Sequence, residues 1–123
     1  MNTRVVFGLI CLISINLSFA QKPDNNEPRY GNIIKSKSDL DADNNFILEV
    51  VKKYGSRTEA ARKHTEFGWD YLKQGDNVTA MKRFNQAWLL DSTLLDIYWG
   101  FGAVIGARNQ YDQAIGYLKM YYD

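Results

Sequence analysis

The feature that most constrains this chain is a stretch written twice. Residues 67 to 80 read FGWDYLKQGDNVTA, and residues 101 to 114 read FGAVIGARNQYDQA. Phe67 and Phe101, Gly68 and Gly102, Ala80 and Ala114, and Phe84 and Leu118 each lie 34 positions apart. A register kept across aromatic, glycine and alanine columns together is the mark of a structural repeat, whose units bury their apolar faces against one another.

Turn and capping signals divide the sequence around that repeat into helices. After Asp39, acidic residues come first, then Phe46, Ile47, Val50 and Val51 at helical spacing, then Lys52 and Lys53 before Gly55. This order suits the helix dipole and predicts a helix over 40 to 54. Ser56-Arg57-Thr58-Glu59 has the pattern of a capping box and opens a long helix that runs through Gln74 and stops at Gly75. Asp76 and Asn77 cap a helix over about 78 to 90, Asp91-Ser92-Thr93 precedes one ending near Ala107, and a last helix follows Asn109-Gln110 over 112 to 122. No segment alternates with period two, and every connection is short. The chain reads as all α, with antiparallel neighbours.

The first 38 residues have a different character. Arg4, the apolar run VVFGLICLISINL and the small residues of SFA at 18 to 20 predict an export signal over 1 to 20, cleaved after Ala20. A retained membrane anchor is the alternative, disfavoured by the run's length and by Ser14 and Asn16. Cleavage removes Arg4 and the single cysteine, Cys11, and leaves 14 residues of each sign. A neutral chain has no electrostatic footprint for nucleic acid or anionic lipid, so neither is an expected partner. An exported chain without cysteine suits a bacterial envelope, periplasmic or secreted. Residues 21 to 38 hold both prolines and few large apolar groups, and read as a flexible leader in which Tyr30, Ile33 and Ile34 can dock on a neighbouring surface.

The repeated unit resembles the tetratricopeptide repeat. The first unit, about 61 to 94, matches its columns with Phe67, Gly68, Tyr71, Ala80, Phe84 and Ala87. The second, about 95 to 123, has Tyr98, Phe101, Gly102, Ile105, Ala114, Leu118 and Tyr121. Departures are His64 where the pattern favours Trp, Ser92 in place of a closing proline, and Tyr121 where a small residue is expected. The resemblance implies a helical domain over 39 to 123. Its antiparallel helix pairs would stack as a short right-handed solenoid, with the helix at 40 to 54 as an N-terminal cap. It also implies that Gly68 and Ala80, then Gly102 and Ala114, lie where paired helices cross closely.

The resemblance further implies a concave groove formed by the first helix of each pair. Its positions are Arg62, Thr65, Trp69 and Lys73, then Asp96, Trp99, Ala103 and Ala107. The Lys and Asn set with which some members grip a terminal carboxylate is absent. Two tryptophans suit an apolar or aromatic anchor from a protein or peptide partner, because indole supplies large area and one donor. Alternatively, both pack against the cap helix or the leader.

Catalytic chemistry has no residues to stand on. His64 is the only histidine and suits a packing role; it cannot form a His/Cys metal site or a spaced Ser-His-Asp set. Asp39, Asp41, Asp43 and Asn44 resemble part of a calcium loop but lack its central glycine and terminal glutamate. Asn77-Val78-Thr79 fits the glycan acceptor rule and matters only in a eukaryotic secretory route. Gly100, Gly102 and Gly106 lie inside a helix and permit close approach. No cofactor is expected. The expectation is an exported protein-binding module that is not an enzyme; the alternative is a structural subunit that completes its fold with another chain. Ile115, Leu118, Met120, Tyr121 and Tyr122 spread around more than one stripe of the last helix. That predicts pairing through this helix, with a second copy or a partner, unless the leader folds over it.

Overall fold

The computed structural model describes residues 19–123, so nearly all of the expected export signal lies outside the described residues. Five helices follow in order: α1 (Lys37–Tyr54), α2 (Arg57–Lys73), α3 (Asn77–Leu90), α4 (Leu95–Ala107) and α5 (Tyr111–Tyr122). Among the described residues there is no strand. Each helix packs against the next in antiparallel succession, most extensively α2 on α3 and α4 on α5, and α2 also meets α4.

Local chemistry explains the boundaries. Gly55 (φ 94°) and Gly75 (φ 80°) end α1 and α2 in the left-handed conformation that a side chain would strain. Asp76 accepts from the Thr79 amide at 3.0 Å and caps α3. At the start of α2, Ser56 Oγ accepts from the Glu59 amide at 3.0 Å, but the expected box is only half formed. Glu59 turns outward to Arg62 instead, 3.3 Å away. The complete box lies one helix earlier. Ser36 Oγ accepts from the Asp39 amide at 3.1 Å, and Asp39 Oδ2 accepts from the Ser36 amide at 3.3 Å. Those bonds start α1 at Lys37, inside the segment read as leader.

The acidic run at 39 to 44 thus lies within α1. Asp39 caps it, Asp41 pairs with Lys37 at 2.7 Å, and Asp43 pairs with Lys35. Among the described residues no cluster has the ligands for a metal ion.

Two apolar clusters hold the helices together. The larger centres on Met81, Phe84, Ile97, Phe101, Val104 and Ile105, all fully buried, with Trp69, Tyr71, Leu72, Trp88, Tyr98 and Tyr117 around it. The smaller joins α1 to the start of α2 through Val50, Ala60, Ala61 and Leu90, flanked by Phe46, Ile47 and Tyr54. Arg57 then ties the start of α2 to the end of α3, donating to the Leu90 carbonyl at 2.8 Å and the Leu89 carbonyl at 3.0 Å. Those carbonyls have no partner within their own helix end, so the guanidinium satisfies them.

The stretch before α1 is docked on α3. Its ends meet where the Gln21 amide donates to the Ile34 carbonyl at 2.9 Å, closing a loop over α3. Pro28 and Tyr30 are buried, and Arg29, Tyr30, Gly31 and Asn32 all have positive φ. Three of those four are not glycine, so the turn is strained and needs outside contacts to persist. Asn85 of α3 supplies them: fully buried, its Nδ2 donates to the Glu27 carbonyl at 2.9 Å and the Asn25 carbonyl at 3.3 Å. Arg108 donates to the Asn26 carbonyl at 2.7 Å, and Lys35 lies 4.1 Å from the Tyr30 ring centre. Burial, followed by the Asp43 carboxylate, raises the Tyr30 pKa and keeps the phenol neutral.

Candidate functional site

The repeat seen in the sequence recurs as a physical contact. A Cβ on Gly68 would lie 2.5 Å from Phe84 Cε1, and a Cβ on Gly102 would lie 2.9 Å from Leu118 Cδ2. Both members of the second pair stand 34 positions after those of the first. Each glycine is therefore a notch in one helix that receives a large side chain from the next. The sequence reading paired Gly68 with Ala80 and Gly102 with Ala114. For Gly68 the nearest neighbour is instead the Phe84 ring, while Gly102 meets both Leu118 and the Ala114 carbonyl.

Gly100 adds a contact that the repeat did not predict. Its missing Cβ would fall on the same Cδ1–Cε1–Cζ edge of Phe84 that Gly68 faces. That edge enters the seam between α2 and α4, and two glycines make the space. Position 66, which stands where Gly100 does one period earlier, is Glu66, so no column marks this role.

Four of the eight expected groove residues come together beside that seam. Arg62, Thr65, Trp69 and Asp96 line one cavity of about 510 Å³ together with Glu66, Leu94 and Leu95. Thr65 is buried and its hydroxyl donates to the Ala61 carbonyl at 2.8 Å, so it offers a methyl wall and no free donor. Lys73 and Ala107 are exposed, and Ala103 is half-buried.

The tryptophans form a ladder. Trp69 lies edge-on to Phe84 at 5.3 Å and to Trp99 at 5.0 Å between ring centres, and Trp99 lies 5.5 Å from Tyr121. Trp69 is half-buried, whereas Trp99 is 46 % exposed. The ring partners of Trp99 come from α2 and α5, not from α1 or the leader. Tyr121, the departure from the small-residue pattern, extends the ladder and meets Tyr122 at 4.8 Å.

His64 is a buried packing residue at the α1–α2 contact. Its ring is edge-on to Phe46 (5.5 Å), Phe67 (5.6 Å) and Tyr54 (6.1 Å). Nδ1 lies 2.8 Å from the Ala60 carbonyl, a separation that places the proton on Nδ1. Burial lowers the His64 pKa; the Ala60 bond opposes that, and the Arg83 and Lys53 charges add to it. Its neighbours line an open cavity of about 690 Å³ between α1, α2 and α3.

On α5, Leu118 and Tyr121 turn inward, while Ile115 (49 %), Met120 (41 %) and Tyr122 (79 %) remain exposed. The leader reaches this helix through Arg29, whose guanidinium lies 5.8 Å from the Tyr117 ring centre and which lines a cavity with Gln113, Gly116 and Met120. No helix among the described residues is long and apolar enough to cross a membrane.

Comparison of the chain with protein-family models, curated proteins and solved structures gives no match. What the fold defines is a small all-helical domain of five helices.

Proposed function

We propose that the chain is an exported protein-binding module of the tetratricopeptide kind, with two repeats and α1 as the N-terminal cap. Its short right-handed stack of helix pairs would present α2 and α4 to a protein or peptide partner in the bacterial envelope or outside the cell. The observation that carries this reading is the aromatic ladder of Trp69, Trp99 and Tyr121, which opens to solvent beside the cavity lined by Arg62 and Asp96. An exposed indole braced by two other rings is a rigid surface at low entropic cost, the kind of anchor that dominates protein interfaces. The repeated notch contacts at Gly68 and Gly102 support the repeat assignment. No catalysis, cofactor or nucleic acid is part of this reading.

The test places a photo-cross-linking amino acid at Ala103, beside the ladder, and at exposed Lys82 on α3 as control. Adducts in the native envelope fraction should form at Ala103 and not at Lys82, and should vanish with Trp99→Ala while helicity and Tm persist. Equal cross-linking at both positions, or a Trp99→Ala variant that loses helicity together with its adducts, removes the groove from the account.

A second reading, a structural subunit, is favoured by the exposed Ile115, Met120 and Tyr122 on α5. That face suits a second copy of the chain.

A further inference from the structure

The cavity beside His64 has a composition that the groove does not explain. Its walls are the rings of Tyr54, Phe67 and Tyr71, and its cations are Lys52, Lys53 and Arg83. The single acid on its lining is Glu49. Among the described residues, none of the three cations forms an ion pair.

Arg83 is held in place but left incomplete. Nη1 donates to Gln86 Oε1 at 2.9 Å, and the guanidinium lies 5.9 Å from the Tyr71 ring centre. Its Nε is buried and has no hydrogen-bond partner. A buried donor left unpaired is costly, more so on a charged group. A guanidinium can bind a planar carboxylate through two parallel bonds. Lys53 and Arg83 both line the cavity beside the His64 ring. The volume, about 690 Å³, is that of a site for a small organic molecule.

We propose that this cavity between α1, α2 and α3 binds a small aromatic carboxylic acid. Its carboxylate meets the Arg83 guanidinium with Lys53 beside it, and its ring lies among Tyr54, Phe67 and Tyr71. The site shares no lining residue with the Trp69–Trp99 ladder and does not depend on the groove. The aromatic walls exclude a bare inorganic anion as the best occupant, since such an ion leaves the apolar surface uncovered. The cations disfavour a neutral aromatic, which leaves Lys52, Lys53 and Arg83 without a counter-charge.

The test titrates the full mature chain with 3-phenylpropionate, with acetate and 3-phenylpropan-1-ol as comparators, following the Arg83 Nε–H and His64 ring signals by NMR. The acid should bind saturably and at least tenfold more tightly than either comparator. It should also raise the His64 pKa, because a nearby anion favours the imidazolium. Arg83→Gln should weaken binding about tenfold and Glu49→Gln should tighten it, helicity being unchanged. Should Arg83→Gln fail to fold, Lys53→Gln, at an exposed residue, is expected to weaken binding severalfold. The proposal is overturned if the alcohol binds as well as the acid, if no saturable shift occurs, or if the charge variants that fold bind unchanged.

Discussion

Phe84 shows how much of this structure rests on single atoms that are absent. Its ring occupies space that a methyl group on Gly68 or on Gly100 would claim, each less than 3.0 Å away. Either glycine changed to alanine should cost about 1–3 kcal/mol by overpacking, read by urea denaturation. Because both notches meet one ring, that cost should shrink when Phe84→Leu is present; costs that simply add would show the contact to be unimportant. His64 gives the other prediction at this scale. Its folded pKa is lowered, so the unfolded chain binds its proton first. Stability is complete above the ordinary histidine value of about 6.5 and falls as pH drops below it, until the folded pKa is passed. A His64→Gln variant should lack that step in denaturation midpoints measured from pH 8 to 5. Asp76 and Asp91, with pKa values lowered chiefly by bonds to Thr79 and Thr93, contribute only in a separate, more acidic window.

Helix boundaries followed local chemistry closely, and the segment whose order the sequence left open is the one held by distant partners. Gly55, Gly75 and the Asp76 cap act within a few residues of themselves, so their effects can be read from neighbouring letters. The loop before α1 depends on Asn85, whose bonds reach back 58 and 60 positions. Its prolines and asparagines look the same whether solvated or docked. The hints in the sequence are Tyr30 within the segment itself and a polar side chain, Asn85, on an otherwise apolar face of α3. Asn85→Ala removes both bonds and leaves the strained turn unsupported. About 1–3 kcal/mol of stability should go with it. Amide exchange at Glu27, Tyr30 and Asn32 should then accelerate far more than in α4; equal acceleration throughout would show that Asn85 serves the core and not the loop. The capping box was likewise judged from spacing alone. Ser56 and Ser36 both have an acid three residues on, and the structure completes the second, because Glu59 has Arg62 as a competing partner.

For the whole molecule, the open question is the face of α5. Leu118 fills the Gly102 notch and Tyr121 joins the aromatic ladder, which leaves Ile115, Met120 and Tyr122 as the exposed apolar set. If this face pairs with a second copy, sedimentation should show a concentration-dependent dimer that Ile115→Ser with Tyr122→Ser dissociates. Leu118 is the wrong residue for that test, since removing it empties a core notch at about 2–5 kcal/mol. A monomer at every concentration would end the self-association reading.

The sequence by itself determined the helices, their order and the spacing of their contacts. Those follow from periodicity, caps and small-residue columns, which act over a few residues or repeat at a fixed interval. Only the tertiary structure decided which ring enters which notch, that the loop at 21 to 34 is strapped to α3, and that Trp69, Trp99 and Tyr121 form one ladder. It alone placed Lys53 of α1, Arg83 of α3 and His64 of α2 on the wall of one cavity. These pairings join residues by distance through space. Burial, shape and the need to satisfy each buried donor select them, and none of those quantities exists until the helices have packed.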